Sequence, residues 1–214
     1  RHAARHQFFI DQGTADAIRA NRDLLGGCSG SRMYEEFNKD LHSGFAAAIL
    51  ALFMEYSLVP ILLGSVGRLL EQQQGPRDEL FRLMAAHDNL VLGGTPPSLS
   101  VSYSLMLWPW ARSVMREKGR PGSDTTRMLT DELAASGMSM VIPKGIRANA
   151  VHALEILEHM MSALDTGRMR WSLLKRASYR DASTLFSLVT CGSLPPGEDA
   201  FRNAFRARYP GVQE

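Results

Sequence analysis

Apolar positions cluster most densely from Gly44 to Leu70, in the run GFAAAILALFMEYSLVPILLGSVGRLL. A membrane span needs about 20 apolar residues with few or no charges. Glu55 near the centre and Pro60 soon after break that requirement, so the segment reads as the interior of a folded protein. At helical spacing Phe45, Ile49, Leu52, Phe53 and Tyr56 share one broad face, while Ala46, Ala47, Ala48 and Ala51 let neighbouring helices approach closely. The pattern predicts the central helix of an all-α core.

The same periodicity runs through the rest of the chain. Residues 1–25 carry a short helical pattern with Phe8, Phe9 and Ile10 at its front, and Gly26 to Ser31 then supplies a flexible Gly/Ser joint. Residues 1–31 therefore read either as a mobile arm with its joint or as a first helix and loop. Further helices are predicted over 32–42, 45–57, 60–73 and from Gly75 to about His87. After the loop Gly93 to Ser98, Ser98 caps a helix holding Tyr103 and Leu105 to Trp108; the alternation VSYSLMLW also fits a strand, but no partner strand is evident. The Gly/Pro-rich stretch Lys118 to Ser123 marks a lobe boundary, giving lobes 32–118 and 119–214. Helices at 125–135, 146–164, 171–188 and 198–209 complete the second, the last bracketed by Pro195-Pro196-Gly197 and Pro210-Gly211.

Composition narrows the function classes without choosing one. A chain of 214 residues with 45% hydrophobic content can fill a sizeable core, and its net charge of +2 permits a polyanionic partner without demanding one. Cys28 and Cys191 have no zinc or disulfide-framework spacing, which makes a reducing, cytoplasmic compartment the default. No signal-peptide pattern stands at the start, and a beginning at Arg1 is consistent with a trimmed chain.

No enzyme signature, cofactor motif or metal motif emerges. His152, Glu155 and His159 share a helical face but miss the spacing of metal motifs. Asp40 with His42 and His87 with Asp88 are too ordinary to imply acid–base chemistry, and Ser139 and Ser193 lack a nucleophile elbow. Trp108-Pro109-Trp110 reads as a packed core corner. The run from Arg168, Arg170 and Trp171 through Lys175 and Arg176 to Tyr179 and Arg180 has five basic residues and no acid. It is either a surface for phosphates and bases or a solvated helix face. Arg68, Lys144 and Arg147 are further candidates for such a surface.

In order along the chain, several short motifs resemble the nucleoproteins of phleboviruses and tenuiviruses. They are Gly44-Phe45 before a helix of small residues, Leu62-Leu63-Gly64 to Gly67-Arg68, Gly94-Thr95-Pro96, Gly137-Met138 through Pro143, and the spaced Phe201, Phe205 and Gly211. Two departures occur: Glu71-Gln72-Gln73-Gln74 stands where basic residues are expected, and no arginine follows Pro96-Pro97 near Ser100 to Ser102. The resemblance implies two helical lobes with an RNA groove between them, lined by Arg68, Lys144, Arg147, Lys175, Arg176 and Arg180. It also implies encapsidation of single-stranded RNA, homo-oligomerisation through an arm anchored by Phe8, Phe9 and Ile10, a viral polymerase as a further partner, and a place in the virion and host cytoplasm. The competing expectation is a helical regulatory or adaptor protein that binds another protein through its arm and apolar surface.

Overall fold

The computed structural model describes residues 1–119, 124–194 and 199–210. They form α-helices and two 3-10 turns, with no strand among the described residues, so the fold is all-α as the periodicity predicts. In order these are α1 (His2–His6), α2 (Gln12–Asn21), a turn at Arg22–Gly27, α3 (Gly30–Leu41), α4 (Ala46–Glu55), α5 (Val59–Leu63), α6 (Ser65–Gln72) and α7 (Gln74–Leu92). Then follow α8 (Leu99–Lys118), α9 (Thr125–Ala134), α10 (Lys144–Thr166), a turn at Trp171–Lys175, α11 (Tyr179–Cys191) and α12 (Ala200–Arg208). The chain divides into two compact units, Arg1–Pro97 with Asp131–Pro143, and Ser98–Thr130 with Lys144–Glu214. Helix α8, read from sequence as the end of the first lobe, groups with the second unit. Within the expected boundary stretch, residues 120–123 lie outside the described residues, as do residues 195–198 and 211–214.

In the first unit the apolar segment becomes three helices. Helix α4 starts where the Asp88 carboxylate accepts from Ala46 N at 2.8 Å and Ala47 N at 2.9 Å, so two donors left open by the helix geometry are satisfied by a charge. The helix expected over 60–73 breaks at Gly64, whose φ of +57° suits glycine. A Cβ there would lie 2.1 Å from Ser136 O, and Ser65 N donates to that same carbonyl at 2.7 Å. Ser139 Oγ donates to Ile61 O at 2.6 Å. These contacts draw residues 131–143 into the first unit, and they bring together two of the short motifs noted in the sequence, at Gly64 and at Gly137-Met138.

The N-terminal residues also pack within this unit. Arg1 pairs with Asp40 and, at 3.0 Å, with Glu36; Arg5 lies over the Phe45 ring and Arg19 over the Tyr56 ring. Helix α1 contacts α4, and the turn at Arg22–Gly27 contacts α5. The Gly/Ser stretch is partly ordered by contact: Gly30 opens α3, and its carbonyl accepts from Val141 N at 3.1 Å.

The second unit is built on α8 and α10, which pack against each other and against α11. Tyr103, Leu105, Met106, Leu107 and Trp108 are all essentially inaccessible. Burying each such side chain contributes roughly 1.5–3 kcal/mol before conformational entropy is deducted. The strand alternative for VSYSLMLW is excluded, and Trp108-Pro109-Trp110 is core but no corner, because Pro109 lies inside a continuous helix. Buried Ser104 is accommodated by donating to Ser100 O at 2.7 Å. The helix expected over 171–188 is a turn and a separate α11, with extended backbone at Arg176 between them.

Candidate nucleic-acid interface

The six cations expected to touch RNA do not share one element. Arg68 is exposed on α6 in the first unit; the other five belong to the second. Lys144 and Arg147 stand in the first turn of α10, Lys144 exposed and Arg147 half-buried. A cation at the positive end of a helix gains nothing from the dipole, so these two are not explained by helix stability, and with the open N–H groups they suit an anion. Lys175 ends the 3-10 turn and Arg180 lies in the first turn of α11, both exposed.

Arg176 has an internal partner. Its Nη1 donates to Glu155 Oε2 at 2.7 Å, and Thr126 Oγ1 donates to the same oxygen at 2.7 Å. The Glu155 side chain is 4% exposed, so the arginine neutralises a carboxylate that would otherwise be buried as a bare charge. This pairing also occupies the middle of the His152, Glu155, His159 face. No group of three metal-type ligands occurs among the described residues. His159 has its Nε2 buried without a hydrogen-bond partner, and burial holds its imidazole below the usual histidine range.

The two aromatics of the basic run are likewise used internally. Trp171 packs edge-on against Phe205 with ring centres 5.3 Å apart, and the Tyr179 hydroxyl donates to the Asp199 carboxylate. Burial and that carboxylate push the Tyr179 phenol upward from its ordinary pKa. Both rings are half-buried and each has one internal partner, at the Trp171 ring and at the Tyr179 hydroxyl. His87 and Asp88, set aside from sequence as an ordinary pair, turn out to serve α4 through Asp88. Of the expected oligomerisation anchor, Phe8 and Phe9 are exposed, Phe9 completely, and Ile10 is half-buried.

The charge is unevenly divided. The first unit's sequence has nine Lys/Arg against thirteen Asp/Glu, net −4, and the second has fifteen against nine, net +6; together they give the chain's +2. Phosphate is therefore drawn to the second unit.

Residues 7–66 match a family model described as the probable RNA and SrmB-binding site of polymerase A. A search of curated proteins finds no match. The matched segment runs from the end of α1 to the start of α6, wholly within the first unit, and includes Gly44-Phe45 and the α4 core helix. It has four Lys/Arg and seven Asp/Glu, net −3, so a segment similar to an RNA-binding site has the charge sign that repels phosphate. Arg168, Arg170, Arg206 and Arg208, all exposed in the second unit, are cations that sequence reasoning did not select as contacts. The basic run signalled the first two; the pair on α12 had no comparable signal. No helix among the described residues is long and apolar enough to cross a membrane.

Proposed function

We propose that the chain is an RNA-binding portion of a polymerase A-type protein, in which the second unit neutralises phosphates and the matched segment of the first unit faces a protein partner. The match over residues 7–66 supports RNA and protein binding, because its description names both RNA and SrmB, while the placement of RNA on the second unit rests on charge. The net −3 of that segment and the net +6 of the second unit divide the two tasks. Phosphate contacts of this kind hold RNA without reading its sequence. The internal contacts of Trp171 with Phe205 and of Tyr179 with Asp199 support a reading built on phosphate contacts more than on base stacking.

Fluorescence anisotropy of labelled single-stranded RNA across a salt series tests the proposal. Binding that weakens steeply with salt and is indifferent to base composition is expected. Absence of binding at low salt overturns it. Encapsidation, implied by the nucleoprotein resemblance, shares the phosphate contacts but needs self-assembly, and the matched description is not that of a nucleoprotein. Light scattering separates the two: a particle that grows with RNA length by adding subunits in contact supports encapsidation, and independent single binding events support the module.

A further inference from the structure

We propose that the edge where α12 meets the end of α10, presenting Arg168, Arg170 and Arg208, is the principal phosphate-binding surface for single-stranded RNA, an assignment that rests on the RNA-binding reading above. Its construction begins with the α12 sequence FRNAFRAR, whose Phe201 and Phe205 are one turn apart and fully buried. With Tyr209 they continue an aromatic row from Phe186, the successive ring centres being 5.4, 5.7 and 5.1 Å apart. Trp171 closes on Phe205 from the side.

Tyr209 fixes the register. Its hydroxyl donates to Leu164 O at 2.9 Å, and its ring lies over Gly167, where a Cβ would be 3.0 Å from the ring. Gly167 has φ +70°, so a side chain there is opposed by both backbone and ring. The end of α12 is thereby held over residues 164–171. Arg208 adjoins Tyr209, Arg168 adjoins Gly167 and Arg170 adjoins Trp171, so three exposed arginines flank the residues through which the two elements meet. From Thr166 to Arg180 the sequence has no acid, nor has α12.

These arginines differ from the chain's structural ones. Arg1, Arg19 and Arg176 each bind a carboxylate, whereas the Arg168, Arg170 and Arg208 side chains form no hydrogen bond or ion pair among the described residues. Helix dipoles favour cations at the ends of α10 and α12. Nearby carbonyls, however, already have other donors: Ala163 O accepts from Gly167 N, Leu164 O from Tyr209, and Phe205 O from Tyr209 N. The three planar forks remain available for the bidentate geometry that phosphate oxygens provide.

The experiment compares the full chain with Arg168→Gln/Arg170→Gln/Arg208→Gln and with the charge-keeping triple Lys variant, using labelled single-stranded RNA over a salt series. Circular dichroism checks that each is folded. Three lost contacts at about 0.7 each should lower the salt slope by roughly 2 in the Gln variant, while the Lys variant keeps most of it. If the unaltered chain binds RNA and the folded Gln variant binds with the same affinity and slope, this surface is rejected while the RNA-binding reading stands. If the unaltered chain binds no RNA, the reading itself fails. Equal loss in the Gln and Lys variants, with lowered thermal stability in both, assigns the arginines a structural role and also overturns the proposal.

Discussion

Replacing Arg176 by alanine separates a structural cation from an RNA-binding one. The arginine lies 2.7 Å from Glu155, whose side chain is 4% exposed, while the arginine side chain is 43% exposed. Breaking a fully buried pair costs about 3–5 kcal/mol, and a hydrogen bond to a charged group contributes about 1.5–3 kcal/mol. Here water can reach the vacated guanidinium position and Thr126 still donates to the carboxylate, so about 2 kcal/mol is expected. All three tryptophans, Trp108, Trp110 and Trp171, belong to the second unit, so tryptophan fluorescence during urea unfolding reports on the unit that is perturbed. With a urea slope of about 2 kcal/mol per molar, the midpoint should fall by about 1 M. The double variant Arg176→Ala/Glu155→Gln should recover about half of the loss, because no unpaired charge stays buried. An unchanged midpoint, combined with an RNA salt slope lowered by about 0.7, would refute the structural role and restore Arg176 as a phosphate contact.

Other expectations concern both units. Asp88→Ala removes both acceptors at the start of α4 and should lower stability by about 2 kcal/mol in urea unfolding followed by circular dichroism; a change below about 0.5 kcal/mol would mean that the cap contributes little. His159 is held below its ordinary 6.5 chiefly by burial, so between that value and its lower folded pKa the unfolded chain binds the extra proton. Stability contributed by the neutral ring is thus present above about 6.5 and lost as pH falls below it, and His159→Phe should flatten the acid side of the melting-temperature profile. An unaltered profile contradicts this assignment. Deleting residues 1–25 strips Asp40 of Arg1 and uncovers faces of α4 and α5, so the first unit should melt earlier; an undiminished melting temperature would show that these residues are an independent arm.

The helices were largely legible because α4, α8 and α10 carry dense apolar faces, and burial of those faces is what fixes a helix in a core. Boundaries set by local chemistry were also readable: Ser98 caps α8 by accepting from Val101 N at 3.3 Å. What periodicity could not reveal were partners distant in sequence. Asp88 serves a helix start some 42 positions away, and residues 136–139 dock on the Gly64 break. The same limit applies to the basic run, where composition marked Trp171, Arg176 and Tyr179 as a candidate RNA surface but could not show their internal partners. Their orientation depends on Phe205, Glu155 and Asp199, which only the tertiary packing brings into reach.

Ultraviolet crosslinking of uridine-containing single-stranded RNA to the full chain, followed by peptide mass spectrometry, tests most directly whether RNA lies on the second unit. The account predicts crosslinks concentrated in residues 168–180 and 200–209, weakening with salt as phosphate contacts are lost. Crosslinks confined to residues 7–66, persisting at high salt, would contradict it and place the RNA on the acidic matched segment.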